Sequence, residues 1–114
     1  IVLYGNICSL NFLFTGDISS TIESKMIKDL NELDVDVLKV AHHGSKNSTS
    51  EAFLKILQPD IAVISCGKNN RFGHPHEETL ERLKKVGGKV VTTPESGTVS
   101  VRISEGKTTL TEYK

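Results

Sequence analysis

Apolar and polar residues along the chain alternate between short apolar runs and helical periods. Runs typical of strands occupy residues 1–4, 11–15, 35–41, 61–65, 89–93, 98–103 and 108–112. Apolar side chains recur at helical spacing in three segments: Ile22, Met26, Ile27, Leu30 and Leu33; Ala52, Phe53, Ile56 and Leu57; and Leu80, Leu83 and Val86. The predicted order is β-β-α-β-α-β-α-β-β-β, which favours a layered α/β architecture with about three helices.

Turn and capping residues predict the boundaries of these elements. Gly5-Asn6 is a turn signal between the first two strands, so we expect a hairpin there. The helix caps and breakers are Ser19 or Ser20, a capping box from Ser48 to Glu51, Pro59, Pro75 as the first residue of the third helix, and Gly87-Gly88.

Composition limits the possible classes of protein. A chain of 114 residues is long enough for one small domain, and 14 basic residues balance 14 acidic ones, so no global charge attracts phosphate backbones. No apolar run approaches the roughly 20 residues of a membrane span, so we expect a soluble piece. Cys8 and Cys66 lack a CxxC spacing and are predicted to be free thiols in strands. The chain opens in strand-like sequence without methionine, which indicates a piece of a longer polypeptide.

All four histidines lie in two tight pairs, His42-His43 and His74-Pro75-His76. Asp17 precedes them, also at the end of an apolar run. Because the carboxyl ends of strands in α/β sheets meet at one edge, these side chains are expected to converge. A carboxylate and several imidazoles at one edge can hold a metal ion or move protons.

Each of these residues also has a plainer interpretation. Asp17 is either an N-cap or a metal ligand, since a carboxylate can bridge two divalent ions. His42 and His43 would point to opposite faces of an extended chain, so one should ligate a metal while its neighbour packs or contacts substrate; both could equally be solvated at a strand end.

The loop before the third helix suggests phosphate chemistry. His74 is expected at the helix N-cap, where an imidazole stays neutral unless an anion is near, and with bound phosphate it could protonate a leaving oxygen. Arg71 could bind a phosphate oxygen, and a His-Pro turn with a capping role is the plainer alternative. Ser45 is a candidate substrate contact, but without a GxSxG elbow it is predicted to be a turn residue rather than a nucleophile.

Three motifs, LFTGD at residues 13–17, VLKVAHHGS at 37–45 and NRFGHPH at 70–76, occur in this order. Together they resemble the second half of the metallo-β-lactamase-type hydrolase domain of the ComEC/Rec2 DNA-uptake proteins, and the resemblance covers nearly the whole chain. It implies an αββα sandwich of two similar halves with a two-metal site between them. Residues 1–114 would then be a single fragment, the C-terminal half, containing a mixed sheet.

The resemblance also implies roles for individual residues. Asp17 matches the bridging aspartate, and the last histidine ligand falls on the His42-His43 pair, where His43 is favoured. His42 would then support its neighbour or face substrate, and His74 is the candidate proton donor. The implied cofactors are divalent metal ions, zinc or manganese. In such proteins the domain is linked to a channel in the bacterial cell membrane and is thought to degrade one strand of incoming DNA.

The chain departs from the family because it contains no HxHxDH motif, which belongs to the first half. We therefore expect the fragment to be inactive as a hydrolase and to expose a sheet edge or a core face, which the missing half or a second copy would cover. Phe72 stands where tyrosine is expected. The alternatives are a soluble phosphodiesterase with the same fold and a non-catalytic DNA-binding or assembly module.

Overall fold

The computed structural model describes residues 1–114 and contains seven strands, four α-helices and one short 3₁₀ turn, Ala41–Gly44. The strands are β1 Leu3–Ile7, β2 Leu10–Phe14, β3 Val37–Lys39, β4 Ile61–Ile64, β5 Lys89–Thr92, β6 Thr98–Ser104 and β7 Lys107–Tyr113. The helices are α1 Ser20–Leu30, α2 Glu51–Leu57, α3 Glu77–Val86 and α4 Thr93–Ser96. No helix has the length and apolar character needed to cross a bilayer.

Five strands form a mixed sheet in the order β1-β2-β3-β4-β5, and β6 and β7 form a separate antiparallel pair. Strand β1 is antiparallel to β2, while β2 to β5 run parallel. Phe14 pairs with Lys39, which pairs with Val63, so the ends of β2, β3 and β4 are level. The α/β class with a mixed sheet is confirmed, and the loops that follow these three strands leave the sheet at one edge.

The helices cover one face of the sheet and enclose the core. Eleven buried apolar residues form one cluster: Leu13, Leu30, Val35, Leu38, Val40, Phe53, Leu54, Leu57, Ala62, Ile64 and Leu83. Leu13 and Leu38 alternate along their strands with residues that face the other way, as expected for a sheet whose two faces differ. Fully burying one such side chain stabilises the fold by about 1.5–3 kcal/mol relative to leaving it exposed.

The opposite face of the sheet is apolar but only partly covered. A cavity of about 150 Å³ separates it from β6 and is lined by Phe12, Phe14, Val37, Lys39, Val63, Val99 and Val101. Leu3 pairs with Phe14 and Ile7 with Leu10, so they lie on this same face. Leu3, Ile7 and Phe14 are 61%, 54% and 43% exposed. The β1–β2 end of this face is therefore only partly covered within the chain.

The structure corrects several predicted boundaries. The first hairpin turns at Cys8-Ser9 instead of Gly5-Asn6, because Cys8 and Ser9 both take the left-handed conformation that two-residue hairpin loops require. Both cysteines are free thiols as predicted, but neither lies in a strand. A short fourth helix, α4, replaces the predicted turn before Gly97.

The N-termini of the second and third helices also differ from prediction. Ser50, not Ser48, caps α2, because its Oγ accepts a hydrogen bond from the Phe53 backbone N–H at 3.3 Å. The third helix begins at Glu77 with His76 as N-cap, and the His74-Pro75 peptide that precedes it is cis. The carbonyl of His76 accepts the first helical hydrogen bonds, so neither His74 nor Pro75 belongs to the first turn.

A buried carboxylate joins α1 to the start of α2. Glu23 is fully buried, and its two carboxylate oxygens accept hydrogen bonds from the backbone N–H groups of Thr49 and Ser50, at 2.5 and 2.9 Å. These donors lie at the N-terminus of α2, where a negative charge is favourable. Glu23 therefore fixes the loop that runs from the histidine pair into α2.

We expect Glu23→Ala to lower the free energy of unfolding by about 2 kcal/mol or more, because two buried N–H donors lose their acceptor. Urea denaturation monitored by circular dichroism measures this loss. Glu81→Ala, an exposed substitution on α3, is the matched control and should change stability by under about 0.5 kcal/mol. Equal losses in the two variants would contradict this role.

Candidate functional site

The loops after β2 and β3 are tied together at the sheet edge. The Thr15 hydroxyl donates to the Lys39 carbonyl at 2.6 Å, and the His42 backbone N–H donates to the Gly16 carbonyl at 2.9 Å. Asp17 and the histidine pair therefore start from backbone segments in direct contact. This confirms the expectation that they meet at one rim.

The backbone at the histidine pair is left-handed, not extended. His42 has φ 46° and ψ 45°, His43 has φ 56° and ψ 23°, and Gly44 has φ 83°. A non-glycine residue in this region costs of order 1–3 kcal/mol and persists only where its surroundings hold it. Although the extended geometry was wrong, the two rings still diverge, with centroids 6.4 Å apart and planes at 65°.

Gly44 lies against Pro75, and this contact brings the two histidine segments together. A Cβ on Gly44 would lie 2.7 Å from the Cβ of Pro75, which is too close for any side chain. The Gly44 carbonyl also accepts a hydrogen bond from the His76 backbone N–H at 3.0 Å. The approach of backbone to ring therefore requires glycine at this position.

Side chains from α3 and its N-cap hold the loop after Gly44. Thr79 donates through its hydroxyl to the Ser45 carbonyl at 3.0 Å, and Arg82 donates to the Lys46 carbonyl at 2.9 Å. The His76 ring accepts the Lys46 backbone N–H at its Nδ1 atom, at 2.9 Å. Its Nε2 atom therefore carries the proton and donates to the Phe72 carbonyl at 3.2 Å. Both nitrogens of His76 are thus occupied within the protein.

His43 presents one free ring nitrogen toward Asp17. Its Nδ1 lies 2.7 Å from the Ser65 carbonyl, which can only accept, so Nδ1 is the protonated nitrogen. The neutral ring then has its lone pair on Nε2, which lies 4.0 Å from Oδ1 of Asp17. Side-chain exposures of 52% for His43 and 69% for Asp17 leave both groups open to an additional ligand.

His74 stands between the other imidazoles. Its ring centroid lies 4.8 Å from that of His76, 5.7 Å from His42 and 6.3 Å from His43. Partial burial lowers the pKa of His74 below its usual value, and the imidazoles of His76, His42 and His43 lower it further. The expected neutral state therefore arises from burial and neighbouring imidazoles, since His74 is not the helix N-cap.

Three other sequence predictions concern the roles of Ser45, Arg71 and Asp17. Ser45 is buried, and its Oγ accepts the Asn47 backbone N–H at 3.3 Å, which favours the turn role over substrate contact. Arg71 is exposed, with its guanidinium carbon 4.8 Å from the Phe72 ring centroid. Ser19 is the N-cap of α1, so Asp17 has no capping role.

Two residues near the site were not singled out from the sequence. Lys39 is half-buried, and burial lowers its pKa, whereas the nearby Asp17 carboxylate acts in the opposite direction. Asn70 hydrogen-bonds through its side chain to the backbone of Gly67, Phe72 and His74. The sequence could have drawn attention to Lys39, because it is a single lysine within an apolar strand. The hydrogen bonds of Asn70 could not be predicted, because they depend on the loop conformation.

The chain supplies only part of a metal-binding set. Two ligand atoms on one tetrahedral ion, each about 2 Å from it, lie about 3.3 Å apart, so the exposed Asp17 and His43 side chains, now 4.0 Å apart, would have to approach slightly to share an ion. The chain has no group of three or more His, Cys, Asp or Glu side chains arranged to hold a metal ion. The donor types fit a divalent ion, but a complete coordination shell needs ligands from elsewhere.

Comparison with known proteins gives a consistent result. The model of the Metallo-beta-lactamase superfamily matches residues 9–68. The chain is 38% identical over 113 residues to ComE operon protein 3 of Bacillus subtilis, covering 99% of this chain and 15% of that protein. It is 40% identical over 95 residues to Recombination protein 2 of Haemophilus influenzae, covering 83% of this chain and 12% of that protein. It is 35% identical over 95 residues to Competence protein ComA of Neisseria gonorrhoeae, covering 82% of this chain and 14% of that protein. The chain thus spans 12–15% of the length of these relatives.

The Gly44–Pro75 contact predicts a difference between two glycine substitutions. Gly44→Ala should cost about 2–4 kcal/mol, because it adds steric overlap to the cost of a left-handed alanine. Gly73→Ala is the matched control: its φ is 69°, but no atom lies within 4 Å of the added Cβ, so it should cost only about 1–2 kcal/mol. Thermal or urea unfolding compares them, and equal losses would exclude the contact as a constraint.

A pH titration of the histidine ring protons by NMR should place the midpoint of His74 below about 6.5, the usual value for histidine. Because the folded-state pKa is the lower one, the contribution of His74 to stability is present above the unfolded-state pKa. It is lost as the pH falls toward the folded-state pKa. His42→Gln should move the midpoint upward by removing one neighbouring imidazole. A wild-type midpoint at or above 6.5 would contradict the lowering of the His74 pKa by burial and by the neighbouring imidazoles.

Proposed function

Since the chain belongs to the Metallo-beta-lactamase superfamily, we propose that it forms part of a metal-dependent phosphodiester hydrolase site in a competence-type DNA-uptake protein. The superfamily generally binds divalent metal ions. Three relatives, two of them named as Competence protein ComA and ComE operon protein 3, match over most of this chain. The parent protein is proposed to lie at the bacterial cell membrane.

One observation carries the proposal: the orientation of His43 toward Asp17. The Nδ1–H group of His43 donates a hydrogen bond to the Ser65 carbonyl, which leaves Nε2 free for a ligand. Metal-binding histidines commonly donate their other ring N–H to a backbone carbonyl in this way. Oδ1 of Asp17 lies 4.0 Å away on the same exposed rim. This geometry supports His43 over His42 as the ligand of the pair, with Asp17 as its carboxylate partner.

The other residues would act on the substrate. Zinc or manganese bound in the complete domain would activate water and neutralise phosphate charge. With phosphate bound, the imidazole of His74 would take up a proton and give it to the leaving oxygen, and His42, 5.7 Å from it between ring centroids, would contact the phosphate. The exposed Arg71 would bind a non-bridging phosphate oxygen through its planar guanidinium.

The partly covered sheet face supports a partner for this chain. Leu3, Ile7 and Phe14 expose apolar area that the first half of the domain would bury in the parent protein. In its absence a second copy would cover the same face, giving a homodimer. DNA is the proposed substrate of the assembled site, and this chain alone is proposed to bind it without cleaving it.

We expect the isolated chain to bind Zn²⁺ weakly and to show no phosphodiesterase turnover, because two ligands do not complete a catalytic site. Asp17→Ala should lower Zn²⁺ affinity by about tenfold or more, measured by NMR titration, together with loss of the shift at His43. Asp29→Ala, an exposed acidic substitution on α1, is the control and should leave the affinity unchanged. Robust turnover with Mn²⁺ or Zn²⁺ that survives Asp17→Ala would overturn the proposed site.

A further inference from the structure

Phe72 is an exposed aromatic ring on a backbone that polar side chains hold in place. The residue is 60% exposed. Its N–H donates to Oδ1 of Asn70 at 3.2 Å, and its carbonyl accepts from Nε2 of His76 at 3.2 Å. Both polar groups of its backbone are therefore fixed, although its side chain contributes little to the core.

The same loop is closed around Asn70. The Asn70 amide donates to the carbonyls of Gly67 and His74, at 2.9 and 2.6 Å, and its Oδ1 also accepts the His74 N–H at 3.0 Å. One side chain thus joins both ends of the loop and its middle. Fixing the backbone that carries an exposed ring reduces the entropy lost when a ligand binds to that ring.

The Phe72 ring continues a series of planar groups that leads away from the proposed metal ligand. Its plane lies 23° from that of His74, with 5.7 Å between centroids, and His74 lies 22° from His43 at 6.3 Å. The guanidinium of Arg71 lies over the Phe72 ring, with its central carbon 4.8 Å from the ring centroid, so a flat group that stacks on this face would take its place. An aromatic face, a cation and the candidate proton donor therefore lie side by side.

We propose that Phe72 is a stacking platform for an unpaired nucleobase next to the phosphate bound at His74. This inference rests on the proposed function and specifies the substrate as single-stranded nucleic acid rather than a phosphodiester without bases. Stacking on an aromatic ring accepts every base, as a degradative site requires. Because the chain has no net charge, general attraction to the phosphate backbone is weak and base contacts matter more.

The test uses two probes of equal charge: a single-stranded oligothymidylate of about six residues and an abasic strand of the same length. NMR titration of the chain should show the base-bearing strand binding about fivefold or more tightly. Phe72→Ala and Phe72→Leu should remove this difference, whereas Phe72→Tyr should retain it. Ile22→Ala, an exposed apolar substitution on α1, is the control and should leave it unchanged.

The outcomes separate this inference from the function on which it rests. If both strands bind equally well and Arg71→Ala weakens the binding of both, base stacking is overturned and the proposed phosphate site still stands. If neither strand shifts the signals of His43 or His74, the phosphate site fails and the stacking proposal fails with it. Since the Phe72 ring is mostly exposed, its variants should fold, which the dispersion of their spectra checks.

Discussion

The close contact between Gly44 and Pro75 is the constraint on which the histidine cluster depends. The two loops come from different strands, and only the absence of a side chain at Gly44 lets their backbones approach. The hydrogen bond from the His76 N–H to the Gly44 carbonyl fixes the approach in register. Two histidine pairs far apart in sequence thereby share one surface, where partial burial and the neighbouring imidazoles lower the pKa of His74.

The energy that maintains the site comes largely from the helices around it. Consecutive left-handed histidines are unfavourable by themselves, so neighbouring structure must over-determine them. Glu23 on α1 holds the far end of the loop, while Thr79 and Arg82 on α3 hold its middle. Residues on the helices, away from the histidine rim, therefore hold the loop that follows His42 and His43.

Much of the architecture was predictable because it depends on local patterns. Apolar periodicity predicted seven strands and three of the four helices, and the paired histidines at strand ends predicted the rim. Precise boundaries were not predictable where long-range contacts decide them. Ser50 caps α2 because Glu23 occupies the adjacent N–H groups, and His76 precedes α3 because Gly44 binds its backbone. The free nitrogen of His43 depends on the Ser65 carbonyl, a partner 22 positions away.

The separate β6–β7 pair has a consequence for how the molecule opens. It shares no strand ladder with the main sheet, and a cavity of about 150 Å³ lies between them. Elements with few shared hydrogen bonds exchange with solvent at lower free energy than the core. By this criterion the hairpin is held less firmly than the core, and it covers Lys39 and its apolar neighbours on the far face of the sheet. None of the hydrogen bonds that hold the histidine rim involves this hairpin, so the covering of the sheet face and the geometry of the site rest on separate sets of contacts.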